Sequence, residues 1–242
     1  MRVPPKGLAI HMSRSAAPFT LALLLLSGVA FWPMYLSKPW AAIDSYTHAH
    51  AAFGTLWLLV LAVQPVLILR GDRHLHRIVG RTALFIATAF VVSGLLLTHF
   101  RVSRMTEAVF AKEGIYIYLP LAVGMLFAVA CALGFRWRSS MPVHARFMLF
   151  TAVLLLDPML ARIMFFYLPP LPSEHLYQGT TFTLIAIAMV VLVRSMPPQV
   201  RGRSSYRNFC LGTASILALF FAVPYTGAWL AFVKWFRALP LT

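Results

Sequence analysis

Long apolar stretches alternate along the whole chain with short segments rich in charge, proline or glycine. A bilayer core of about 30 Å needs roughly 20 helical residues to cross it. Seven stretches reach that length, at approximately 16–36, 49–69, 78–99, 115–135, 143–167, 178–194 and 208–234. The pattern predicts an all-α polytopic transmembrane helix bundle of about seven spans. The longest polar connections, 101–114 and 169–178, are too short for a core of their own, so residues 1–242 read as a single integral membrane domain. A short loop joins the second and third spans, which must run antiparallel as neighbours.

Composition supports this reading. A 242-residue chain that is 60% hydrophobic, with six acidic residues, carries more apolar surface than a soluble globule can hide. Basic residues are unevenly placed. Arg2, Lys6 and Arg14, then Arg70, Arg73, Arg77 and Arg81, then Arg136, Arg138 and Arg146, then Arg194, Arg201, Arg203 and Arg207 fall on one side of the alternation. Lys38, Arg101, Arg104, Lys112, Lys234 and Arg237 fall on the other. Cytoplasmic loops retain positive charge, so the N-terminus is expected in the cytoplasm. The net charge of +15 lies in short juxtamembrane loops, which points to anionic lipid as the partner and away from nucleic acid. In the first span, basic residues, a leucine run and Gly28-Val29-Ala30 also fit a cleaved signal peptide. Cys131 and Cys210 form no C-x-x-C pair and read as buried apolar packing. Hydrolase, nucleotide-binding and G-x-x-x-G signatures are absent.

Candidate chemistry lies first in the histidines. His48 and His50 open the second span; His74 and His76 open the third. His76 and His99 are separated by roughly 35 Å of helix, at about 1.5 Å per residue, and belong to opposite faces. The outer layer is expected to hold His48, His50, His99, Glu174 and His175; the inner layer holds His74, His76 and His144. His50 facing His99, and His76 facing His144, would place two imidazoles on either side of a flat macrocycle, as b-type haem requires. Another transition metal would suit the same ligands, with His48, His50 and His99 as a metal set. The alternative is that interfacial histidines cap helices and bond headgroups. His11 reads as a solvated tail residue.

His50, Trp57 and Gln64 recur every seven residues on one face of the second span. Gly80, Ala87 and Gly94 make a small-residue seam on the third, fit for a neighbouring helix or a flat cofactor. In the fifth span, Asp157-Pro158 and Arg162 are ionisable groups set among leucines, a functional-site candidate by default. Pro158 removes a ladder hydrogen bond and predicts a kink. Arg162 follows His144 by five turns on one face, where it would clamp a haem propionate or another anion. Asp157 would carry a proton or steady a ligand histidine. The architectural alternative is a snorkelling arginine and a carboxylate that fixes a neighbouring helix.

The run His48-Ala-His50 with Trp57 and Gln64, then Leu75-His76-Arg77 with Gly80-Arg81, then His144-Ala-Arg146-Phe-Met148 and Ala161-Arg162, resembles a family of uncharacterised bacterial multi-pass inner-membrane proteins. The resemblance spans the second to the fifth stretches and implies a bacterial inner-membrane location. A looser similarity of plan is to the bis-histidine membrane cytochromes of the cytochrome b561 type. It implies haem b, electron transfer and a redox partner protein, but this chain carries its histidines closer to the span ends. The sequence therefore reads as an inner-membrane protein that binds haem or another transition metal. Two alternatives stand beside it: a solute or proton transporter using Asp157, Arg162 and Gln64, and a non-catalytic accessory or assembly factor.

Overall fold

The computed structural model describes residues 6–170, 173–196 and 205–242, with side chains from Ala16 onward except Glu174. Arg2, Arg201 and Arg203 lie outside the described residues, and the side chains of Lys6, His11, Arg14 and Glu174 are likewise not described. Among the described residues there is no strand, and seven helical segments are long and apolar enough to cross a membrane. The helices are α1 (Lys6–Phe31), α2 (Ser45–Leu69), α3 (Arg73–Ser103), α4 (Glu107–Glu113), α5 (Tyr118–Arg136), α6 (Met141–Leu154), α7 (Leu156–Tyr167), α8 (Glu174–Arg194), α9 (Ser205–Ala218) and α10 (Gly227–Arg237).

Local chemistry sets the ends. Asp44 caps α2 by accepting from the Thr47 N–H at 2.8 Å, and Asp72 caps α3 by accepting from the Leu75 N–H at 2.9 Å. Between them the chain reverses at Gly71, whose φ of 77° suits a residue without a Cβ. The Asp72 N–H reaches the Leu67 carbonyl and the Gly71 N–H reaches that of Ile68, a Schellman ending that makes α2 and α3 antiparallel neighbours. α2 packs on α1 and α3, α3 on α5, α5 on α6, and α7 on α1 and α8. The largest core cluster centres on Trp57, Phe127, Phe147, Phe150 and Leu154, all essentially without exposure.

Two expectations change. The seventh span does not run from 208 to 234. It ends near Tyr225, because Leu219–Phe221 and Val223–Tyr225 tighten into 3-10 turns around Pro224 and Thr226 then caps the separate helix α10. The fifth span, Met141–Tyr167, holds the kink expected from Pro158: it turns at Leu155, whose N–H bonds the Ala152 carbonyl three residues back, and Pro158 has no N–H to offer Leu154.

Arg146, counted above among loop arginines, is wholly buried in α6. Its Nε donates to the Leu192 carbonyl at 2.9 Å, Nη1 to the Pro142 carbonyl at 2.6 Å, and Nη2 to the Ser195 carbonyl and hydroxyl. The last carbonyls of a helix have no partner within it and carry its negative dipole end, so a buried guanidinium belongs there.

Arg146→Ala is expected to lower stability by about 3 kcal/mol, because it strands buried carbonyls of α8, and Arg146→Lys to recover only part of this. Thermal unfolding in detergent measures both. At the opposite surface, partial burial works against the Asp44 charge, but the Thr47 N–H and hydroxyl and Arg101 outweigh it and hold the carboxyl below its usual 3.8. A depressed carboxylate stabilises above its unfolded pKa and loses that stability as pH falls through the folded one. Wild type should therefore exceed Asp44→Ala by about 1 kcal/mol near neutrality, a margin that shrinks in acid below 3.8.

Candidate functional site

α2 carries a polar stripe through the centre of the bundle. His50, Trp57 and Gln64 share its face at intervals of about 10 Å, and each meets a different neighbour. His50 Nδ1 lies 3.2 Å from Ser93 Oγ on α3, and its ring stacks on Phe90 with centroids 4.6 Å apart. Trp57 Nε1 donates to Thr151 Oγ1 on α6 at 3.0 Å. Gln64 Nε2 donates to the His76 carbonyl at 3.2 Å. The small-residue seam of α3 is what allows these approaches. A Cβ at Gly94 would lie 3.0 Å from the His50 ring, and one at Gly80 would lie 3.6 Å from the Gln64 amide.

That seam decides how haem fits. The space a flat macrocycle would need on α3 is filled by side chains of α2. His99 does not join His50: its Nδ1 bonds Thr242 Oγ1 at 2.8 Å and its ring meets Phe236 of α10 edge-on. His50 and His99 therefore face different neighbours, and the outer layer does not fit bis-histidine haem. His48 is fully engaged as well. It stacks on Trp40 with centroids 3.6 Å apart, with Nε2 on the Trp40 carbonyl and Nδ1 on Tyr35 Oη. A carbonyl only accepts, so Nε2 carries the proton and Nδ1 accepts, leaving no lone pair for a metal. Among the described residues no three His, Cys, Asp or Glu side chains cluster to hold a metal. His74 and His175 are exposed; His175 reaches Tyr225 Oη at 3.3 Å.

Asp157 lies in the first turn of α7, at the interruption, and is 5% exposed. Its Oδ1 accepts from Gln178 Nε2 at 2.5 Å and Thr181 Oγ1 at 2.7 Å, both on α8. Gln178 and Thr181 were not singled out in the sequence, although two polar residues three apart in an apolar span share a face and are a readable signal. The turn at Leu155 interrupts the helix between His144 and Arg162. Arg162 extends over the Phe31 ring at 4.7 Å, with Nη1 on the Pro158 carbonyl and Nε on Met34 Sδ. It interacts electrostatically with both Asp157 and His50 without a direct ion pair to either. The ion pairs among the described residues, Arg101–Asp44 and Arg237–Glu107, are at the surface.

Two polar layers result. One holds His50, Ser93, Arg162, Asp157, Gln178 and Thr181. The other, toward the arginine-rich end, holds Gln64, His76 and His144. Between them Trp57, Phe127 and Phe150 are buried and apolar but for the Trp57–Thr151 bond.

Comparisons with protein-family models, with curated proteins and with solved structures find no match to this chain.

Gly94→Val is expected to push the His50 ring from its seat and destabilise by about 2 kcal/mol, as overpacking does. Gly124→Ala, where an added Cβ meets nothing within 4 Å, should be nearly neutral. Thermal unfolding of the two variants checks the contrast.

Proposed function

We propose that this multi-pass membrane protein is a proton transporter in which Asp157 takes up and releases the transported proton. The observation that carries the reading is a carboxylate buried inside a transmembrane bundle, at the break between α6 and α7, bonded by two neutral donors. A charge in such surroundings is costly, and a carboxyl group there can be neutralised by taking up a proton. Discontinuous spans near the bilayer centre are a recurring place for coupling ions in secondary transporters. Arg162 biases the proton's release by its charge, and His50 completes the layer. The aromatic plug of Trp57, Phe127 and Phe150 separates this layer from the one beyond it, so passage requires the plug to rearrange.

By the positive-inside rule the arginine-rich end belongs in the cytoplasm, where exposed Arg70, Arg73, Arg77 and Arg81 suit anionic headgroups.

In proteoliposomes holding a pH-sensitive dye, an imposed proton gradient should collapse at least tenfold faster with wild type than with Asp157→Asn, and at an intermediate rate with Asp157→Glu. Equal rates for wild type, Asp157→Asn and protein-free vesicles would overturn the reading.

A further inference from the structure

His144 Nδ1 lies 2.8 Å from the Gly134 carbonyl, one of the last carbonyls of α5 and without a helical partner. A carbonyl only accepts, so Nδ1 carries the proton and the Nε2 lone pair of His144 is left for another partner. The same carbonyl-to-imidazole bond orients histidines that bind metal through the other nitrogen. His76, in the first turn of α3, lies close enough to His144 to interact with it electrostatically. Its Nδ1 is buried with no hydrogen-bond partner.

Gln64 completes the group. Its amide must point nitrogen toward the His76 carbonyl, because the reverse would set two acceptors together. Its Oε1 is thereby turned elsewhere, buried and also without a partner. His76 Nδ1 on α3 and Gln64 Oε1 on α2 are thus left as buried, unmatched polar atoms on two residues that share a hydrogen bond, and unmatched buried polar atoms call for an explanation. The surrounding Arg73, Arg77 and Arg138 are exposed, so solvent screens their charge.

From this we propose that His76, His144 and Gln64 form a binding site for a single divalent first-row transition metal of the zinc or copper class. Two imidazole nitrogens and an amide oxygen suit those ions, and the incomplete protein ligand set leaves positions for water, as in exchangeable sites. The site is separate from Asp157, lying roughly 20 Å away along the α6–α7 span at about 1.5 Å per residue.

The test uses the full chain in detergent, purified without a polyhistidine tag. Titration calorimetry with zinc, and electron paramagnetic resonance with copper(II), should show one ion per chain with nitrogen couplings from two imidazoles. His76→Ala and His144→Ala should each weaken zinc binding at least tenfold and remove a nitrogen coupling, Gln64→Leu should weaken it less, and His74→Ala and Asp157→Asn should leave it unchanged. Absence of stoichiometric binding by monodisperse wild-type protein would overturn the proposal, and so would binding that survives His144→Ala. Because Asp157→Asn abolishes only the proton flux, failure of this site and failure of the transporter reading are told apart.

Discussion

Lipid offers no hydrogen-bond partner, and this one constraint organises the bundle. A polar group placed inside a span is costly unless the protein itself matches it. Thr20, Thr88, Thr98 and Thr183 meet the constraint locally by bonding the carbonyl four residues back. Groups too large or too charged for that solution reach across to another helix, and these reaches tie the bundle together. Arg146 ends α8, Tyr118 donates to the Ile216 carbonyl of α9, and Asp157 gathers α8 onto α7.

Such reaches require close approach, which small residues provide. α2 and α3 meet along Gly80, Ala87 and Gly94, and α5 meets α6 at Gly134, where an added Cβ would lie 3.2 Å from Phe147 Cβ. In membranes, where packing replaces the hydrophobic drive between helices, such seams bring backbones together. The same closeness that seats His50 and Gln64 also removes the gap that a flat cofactor would need.

The polar groups are sorted by depth into two layers with an aromatic centre. Trp57, Phe127 and Phe150 are buried at that centre, with ionisable groups at either side. At the end opposite the arginines, α10 lies against α3 through Val233 and Phe236, while Leu230 and Trp235 remain exposed, as an amphipathic helix at the interface would present them. Trp32, Trp40 and Tyr225 are exposed at the same end, in keeping with an aromatic belt.

The sequence by itself determined the class of solvent, the number of spans and the heptad stripe His50, Trp57, Gln64, because span length and helical period are properties of a single segment. It also marked Asp157 and Arg162, since charge in an apolar run is visible without a partner. It did not determine partners. Arg146 read as a loop charge because its burial depends on where α8 ends; His50 and His99 read as a pair because depth is legible but azimuth is not. The partition of 208–234 into a span and a separate helix rested on Thr226 accepting the Trp229 N–H as a cap and on Phe236 finding His99. Only tertiary structure decides which neighbour each face meets, because in a bilayer that choice is made by the fit of side chains from segments far apart in the chain.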